Sequence, residues 1–204
     1  THCISSAASD VYKRQLPTGA VVGTGAPRRI AQLKALRSDI HTVPLRGNID
    51  TRMAKVHDGE LDAVVLAYAG LSRVHRADEA TEVFDPLEFL PAPAQGALAV
   101  ECRADDADTI AAITTIADSK AYACAHTERV VLARLEAGCT APVAAYATVA
   151  ADNIMTLHAA VIAVDGSATL RATAAGPIDT AENLGMTVAR ALLDDGASSL
   201  LAAS

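Results

Sequence analysis

Tryptophan is absent from this 204-residue chain, and only two phenylalanines and four tyrosines are present. A core without aromatic mass has to be built from small aliphatics, and the 45 alanines point the same way. No apolar run approaches the roughly 18 residues that a membrane-spanning helix requires. The opening residues also lack the basic and apolar regions of a secretory signal. A soluble, cytoplasmic protein without a membrane partner is expected. A basic surface is missing as well: the formal net charge is −7, which argues against general nucleic-acid binding. The four cysteines show neither a C-x-x-C pair nor a zinc spacing, so no metal is expected. In a chain of this kind most cysteines read as small buried hydrophobes, with disulfides disfavoured.

What is present is unevenly distributed. Residues 16–76 carry a net +4, with seven arginines, whereas residues 77–204 carry −12. A local arginine excess inside an acidic protein suggests a defined anionic ligand. Residues 1–15 stand apart. A Ser-rich opening runs into Asp10-Val11-Tyr12-Lys13-Arg14-Gln15 without an apolar period. That hexapeptide matches one reading frame of a sequencing-library transposon end, so 1–15 is expected to be a leader foreign to the fold.

From residue 20 strands and helices alternate. Ala20–Thr24 reads as a strand, with Pro27 at the first position of a helix that continues through Ile30, Leu33 and Leu36. His41–Leu45 reads as a strand, Asp50–His57 as a helix closed by Gly59, and Asp62–Tyr68 as a strand buried on both faces. This is a βαβαβ pattern and predicts a parallel sheet. A Pro-rich stretch over 84–96 looks like an interdomain crossing. Ala97–Cys102 reads as a further strand, and helices are expected over 105–118 and 120–137. Strands over 143–149, 154–164 and 168–174 follow, the last two joined by the hairpin signal Asp165-Gly166. A final helix is expected with Asp179 as N-cap and Glu182 in the capping box. The fold class is therefore α/β, a parallel or mixed sheet domain of periplasmic-binding-protein-like type, plus a small C-terminal α+β domain with an antiparallel three-stranded sheet.

Two places carry chemistry. In Thr24-Gly25-Ala26-Pro27-Arg28-Arg29 two arginines occupy the first turn of a helix, where cations oppose the helix dipole. Such a placement makes sense if an anion sits on that helix N-terminus; a solvated arginine pair is the plainer alternative. Arg46 follows the next strand, Arg52 opens the next helix, and Arg73 follows the third strand. Ligands of open α/β sheets bind at the carboxyl ends of strands, and five arginines there favour a polyanion with several carboxylates or phosphates. The second place is Leu135-Glu136-Ala137-Gly138-Cys139, which puts a cysteine on a loop beyond a helix. It could serve as a covalent attachment point, and no neighbouring histidine marks it as an acyl-transfer thiolate. His126 and His158 read as structural.

These residues occur in the order seen in hydroxymethylbilane synthase, also called porphobilinogen deaminase. The chain resembles that family through Val22-Gly23-Thr24 to Arg28-Arg29, Leu45-Arg46-Gly47-Asn48 with Thr51-Arg52, Gly59-Glu60-Leu61-Asp62-Ala63, Ala69-Gly70-Leu71, Pro93-Ala94-Gln95-Gly96-Ala97, Glu101-Cys102-Arg103 and Leu135–Cys139. The resemblance implies a transferase of porphyrin, haem and other tetrapyrrole biosynthesis. It joins four porphobilinogens head to tail, with loss of ammonia, on a dipyrromethane primer. The primer is a covalent cofactor, thioether-linked to a cysteine that falls on Cys139, with Thr24, Gly25, Ala26, Arg28 and Arg29 around it. Arg46, Arg52 and Arg73 would hold substrate carboxylates. Where the family often has serines, this chain has Gly25 and Ala26. The resemblance divides the chain into 16–96, most of a second, anion-binding domain; 97–118, a segment returning from a largely missing first domain; and 119–204, a C-terminal α+β domain carrying the cysteine. The catalytic aspartate belongs to the missing domain, so the chain alone is expected to be inactive, and a monomer. A stand-alone anion-binding module without catalysis is the other reading; Cys139 separates the two.

Overall fold

Short runs of β-branched and small residues build a five-stranded sheet in the computed structural model, which describes residues 3–5, 16–138 and 140–202. Its strands are β1 (Cys3–Ser5), β2 (Val21–Gly23), β3 (His41–Val43), β4 (Ala63–Val65) and β5 (Glu82–Val83), in the order β3-β2-β4-β1-β5. Every pairing is parallel, as the βαβαβ pattern predicts. Helices α1 (Pro27–Leu36), α2 (Ile49–His57) and α3 (Tyr68–Arg73) make the crossovers. Both faces are covered. Leu33 of α1 packs with Val22, Ala63, Val65, Phe84 and Phe89 on one side. Met53 of α2 and Leu71 of α3 pack with Leu45, Leu61 and Val64 on the other. Neighbouring residues of β4 thus face opposite layers, the reason a parallel strand reads as a continuous apolar run.

Beyond the sheet lie α4 (Ala107–Thr114) and α5 (Ser119–Arg134), then the antiparallel strands β6 (Val143–Val149), β7 (Ile154–Ile162) and β8 (Thr169–Pro177). Helices α6 (Ala181–Asp194) and α7 (Ala197–Ala202) close the chain. Odd-numbered residues of β6 and β7, such as Val143, Ala145, Leu157 and Val161, face Val131 of α5 and Val188 and Leu192 of α6. The even-numbered Ala144, Ala160 and Ile162 face Ala31 of α1 and Leu90. The second sheet is therefore sandwiched between its own helices and a helix of the first unit. At the hairpin tip Gly166 adopts φ +77°, and a Cβ there would lie 2.4 Å from the Ala35 backbone nitrogen, so the turn rests directly on α1.

Several local expectations are corrected. Residues 97–103 form no strand and are exposed, with Leu98 73% accessible, and nothing on α4 is buried. An apolar run becomes a strand only when a neighbour supplies hydrogen bonds, and among the described residues no strand pairs with it. The strand expected to reach Tyr68 stops at Val65, and Tyr68 instead opens α3, so Arg73 sits in a helix's last turn. Asp179 lies in a short 3-10 turn (Ile178–Thr180), and Thr180 takes the N-cap position of α6 without a side-chain bond. Three short elements, β5, α7 and the strand β1 inside the stretch read as a leader, carry too few residues to show a period. Cys102 is exposed rather than buried, and Cys124 is half-buried.

Candidate functional site

Because β3, β2 and β4 are parallel neighbours, the segments that follow them open at one sheet edge. Thr24 is buried there. Its N–H donates to the Val43 carbonyl (2.9 Å), and its Oγ1 accepts from the Ala26 N–H (3.4 Å). Gly25 is exposed, and Ala26 takes the N-cap position of α1 in extended geometry with no side-chain cap. Arg28 and Arg29 follow in the first turn. After β3, Asn48 caps α2 by accepting from the Thr51 N–H at 2.9 Å. This fixes Arg52, whose Nε donates to the Gly47 carbonyl at 2.8 Å, and Gly47 supplies the φ of +110° that the tight turn needs. Arg46 is exposed on the same loop. Arg73 closes α3 and donates to the Gly96 carbonyl at 3.2 Å.

The arginines differ in how they are held. Arg28 is buried. Its Nη1 donates to the Leu90 carbonyl at 2.5 Å, and its Nη2 to Gln95 Oε1 at 3.1 Å. Burial first, and the neighbouring Arg29 charge second, lower its pKa to about 9. Arg29 donates one N–H to the Val65 carbonyl at the end of β4 (2.9 Å). Its pKa is also lowered, by burial and then by the Arg52 charge. Three cations thus repel one another at one strand edge. Of the other described arginines, Arg37 pairs with Asp39 (2.5 Å), Arg76 with Asp50 and Glu79, and Arg103 with Asp106 (3.3 Å), whereas Arg129, Arg134, Arg171 and Arg190 make no ion pair but are scattered over the C-terminal part of the chain. Among the described residues, Arg28, Arg29, Arg46, Arg52 and Arg73 make no such ion pair. Buried like charges without a counter-ion are costly, and a bound carboxylate accepting from their forks would relieve that cost. A small cleft lined by Arg28, Arg29, Phe84, Phe89 and Gln95 lies beside them.

Cys139 lies outside the described residues. Its neighbours Gly138 and Thr140 belong to the loop between α5 and β6, where Glu136 adopts φ +51° and the Ala141 N–H returns to the Gly138 carbonyl at 3.1 Å. His126 stacks on Tyr122, and His158 shares a hydrogen bond with Thr173 across β7 and β8. Among the described residues no cluster of His, Cys, Asp or Glu could hold a metal, and no helix is long and apolar enough to cross a membrane.

Two polar residues were given no role by sequence reasoning. Gln95 accepts from Arg28 and from the Ala92 N–H (3.3 Å). Glu128, buried on α5, accepts from the Ala94 N–H at 2.6 Å and the Ala147 N–H at 2.7 Å, and burial lifts its pKa to about 7. The signal for Glu128 was its position three residues before Val131 and seven before Leu135, on the helix's apolar face.

Comparison with known proteins accounts for both parts of the chain. Residues 4–111 match the model described as porphobilinogen deaminase, dipyromethane cofactor binding domain, and residues 122–194 match its C-terminal domain. The porphobilinogen deaminase of Corynebacterium diphtheriae is 66% identical over 188 residues, which cover 91% of this chain and 63% of that protein. That of Corynebacterium efficiens is 58% identical over 189 residues, covering 92% and 63%. That of Thermobifida fusca is 51% identical over 195 residues, covering 92% and 61%. The chain thus spans about 63% of the length of these relatives. With the sheet that bears the arginine edge matching the first model, the second sheet matching the other, and relatives up to 66% identical, the chain belongs to the porphobilinogen deaminase family.

Proposed function

We propose that this chain serves a hydroxymethylbilane synthase of tetrapyrrole biosynthesis, joining four porphobilinogens with release of four ammonia molecules. The observation that carries this reading is the set of arginines without carboxylate partners at the ends of β2, β3 and β4. Each pyrrole unit brings two carboxylates, so a growing chain needs several fixed cations, and guanidinium forks bind carboxylates through two parallel bonds. The residues fit a dipyrromethane cofactor held by Arg28, Arg29 and the 24–26 turn and attached at Cys139. Once bound, that group would supply the pyrrole to which the first incoming unit is joined. Arg29 keeps N–H groups beyond the one given to Val65, so it can hold a carboxylate; Arg28, tied to Leu90 and Gln95, orients the turn and contributes charge. Arg46, Arg52 and Arg73 line the path for the substrate's side-chain carboxylates. With Gly25 and Ala26 in place of serines, anion contacts at the turn fall to backbone N–H groups.

The proton-handling aspartate is assigned to the part of the relatives with which this chain does not align. Several aspartates here already have structural work, which supports that assignment: Asp39 holds Arg37, and Asp106 and Asp118 cap helices. We read 16–96 as most of the anion-binding domain, 97–118 as a segment belonging with a first domain and 119–204 as the cofactor-bearing domain; the reading of 1–15 as a foreign leader is not kept, because Cys3–Ser5 pairs as β1 with β4 and β5 and the family match begins at residue 4. The parallel sheet with arginines at its carboxyl edge supports a periplasmic-binding-protein-like type. The protein is taken to act in the cytoplasm as a monomer, with no membrane or nucleic-acid partner. A full-length protein containing these residues should give a dipyrromethane colour with Ehrlich's reagent and the matching mass increment, both lost in Cys139→Ser. An active full-length enzyme with an unmodified cysteine would defeat the proposal.

A further inference from the structure

Residues 90–96 lie between the arginine edge and the second sheet and bond to both. On the side of the second sheet, the Pro91 carbonyl accepts from the Ala145 N–H of β6 at 3.2 Å. The Ala94 N–H donates to Glu128 Oε2 at 2.6 Å. On the other side, Arg28 Nη1 and Gln32 Nε2 both donate to the Leu90 carbonyl, at 2.5 and 3.0 Å. Gln95 Oε1 accepts from Arg28, and the Gly96 carbonyl accepts from Arg73. Ala94 adopts φ +60°, a conformation that is strained for a non-glycine residue and persists only where its surroundings hold it. The group that holds it is the Glu128 carboxylate, whose other oxygen is fixed by the Ala147 N–H of β6. A buried acid is an expensive way to satisfy two backbone donors, unless the geometry it imposes is itself useful.

We propose that Glu128 is a positioning residue for the arginine edge: from the C-terminal helix α5 it fixes residues 90–96, and these set the orientation of Arg28 and Arg73. The carboxylate-binding edge is thereby tied by a side chain to the domain expected to carry the cofactor cysteine, in addition to the packing of α1 on the second sheet. This rests on the functional reading above only for the meaning of the edge, not for the mechanical link.

The test uses the 204-residue chain. Glu128→Gln keeps the side chain's size but leaves one of the two N–H donors facing an amide NH2. Arginine side-chain NMR should show Arg28 and Arg73 resonances displaced and their N–H exchange at least threefold faster, together with the Ala94 amide. Arg37, held by Asp39, is the internal reference and stays unchanged. A merely structural loss would move all arginines together, and unchanged Arg28 and Arg73 signals would also overturn the link. Gln95→Leu offers a second route that leaves Glu128 in place: it should free Arg28 while the Ala147 amide stays protected, and a fixed Arg28 there counts against the proposal. Titration with porphobilinogen separates the two readings. At least fivefold weaker binding in Glu128→Gln supports both. No binding by the unsubstituted chain sinks the reading of the edge, while the NMR result still decides the link.

Discussion

Arg29 and Glu128 are the two side chains whose surroundings say most about what they do. Arg29 is half-buried beside like charges, so its removal relieves repulsion in the free protein while costing the bound state a fork. A charge-assisted hydrogen bond is worth about 1.5–3 kcal/mol. Arg29→Gln in a full-length enzyme should therefore lower kcat/KM for porphobilinogen roughly 10- to 100-fold while leaving the folded chain at least as stable. Steady-state kinetics and urea unfolding of the same variant check both halves, and unchanged kinetics would remove Arg29 from the site. Glu128 has the opposite character. Its carboxyl binds a proton more tightly in the folded chain (about 7) than its ordinary 4.5, because burial penalises the anion. Between those values the native state holds more protons than the unfolded state, so stability falls as pH rises from about 4.5 to 7. The loss contributed by this group is at most on the order of 3 kcal/mol. Glu128→Gln should flatten the fall in urea midpoint over that window relative to the unsubstituted chain, and two parallel pH curves would show that the carboxyl is not buried as described.

Among the elements, α1 is where the sequence is most readable and least optimised. Pro27 at its first position, the 3.6-residue recurrence of Ile30, Leu33 and Leu36, and the preceding strand all foretold it, and its bounds differ by one residue. What could not be foretold is that its outer face is buried as well, by Ala144, Ala160 and Ile162 of a sheet more than a hundred residues later. Local pattern reports periodicity, not which distant surface covers it. The same limit explains 97–103, where an apolar run was visible but the partner that would make it a strand was not. It also explains Glu128, whose place on the apolar face of its helix was readable but whose partners, the Ala94 and Ala147 N–H groups, were not. The N-terminus of α1 lacks a side-chain cap, and Ala26 already has the extended backbone a cap requires (φ −97°, ψ 115°). Ala26→Ser should stabilise the chain by about 1 kcal/mol, or roughly 2–4 °C in melting temperature for a chain of this size. Calorimetry reads that directly. The hairpin tip predicts a change of opposite sign. Gly166→Ala must place a methyl into the α1 backbone and hold φ +77°, so it should lower the melting temperature and speed amide exchange in α1 and β7 together. A change confined to the hairpin would mean that the turn does not rest on the helix.

At the scale of the molecule, the two sheets bury their apolar faces well, and the exception is continuous. Leu98, Val100, Ile110, Ile116 and Tyr122 are all exposed, within a span of 25 residues that contains no strand and a helix with no buried side chain. Apolar surface of that extent is unfavourable in water at about 25 cal/mol per Å², and isolated eight-residue helices are marginal without packing. Two consequences follow for the 204-residue chain. Amides over 97–116 should exchange orders of magnitude faster than those of β6 and β7, and limited proteolysis should cut there first, releasing a product that begins near Ser119 and retains α5 to α7. Because the same span is unpaired and apolar, the chain should also self-associate more readily than the trimmed product, which light scattering at matched concentration measures. Slow exchange across 97–116 in a dilute, monomeric sample would show that this segment is covered from within the chain. The assignment of 97–118 to a domain outside these residues would then fall, and with it the expectation that the chain by itself forms no hydroxymethylbilane from porphobilinogen.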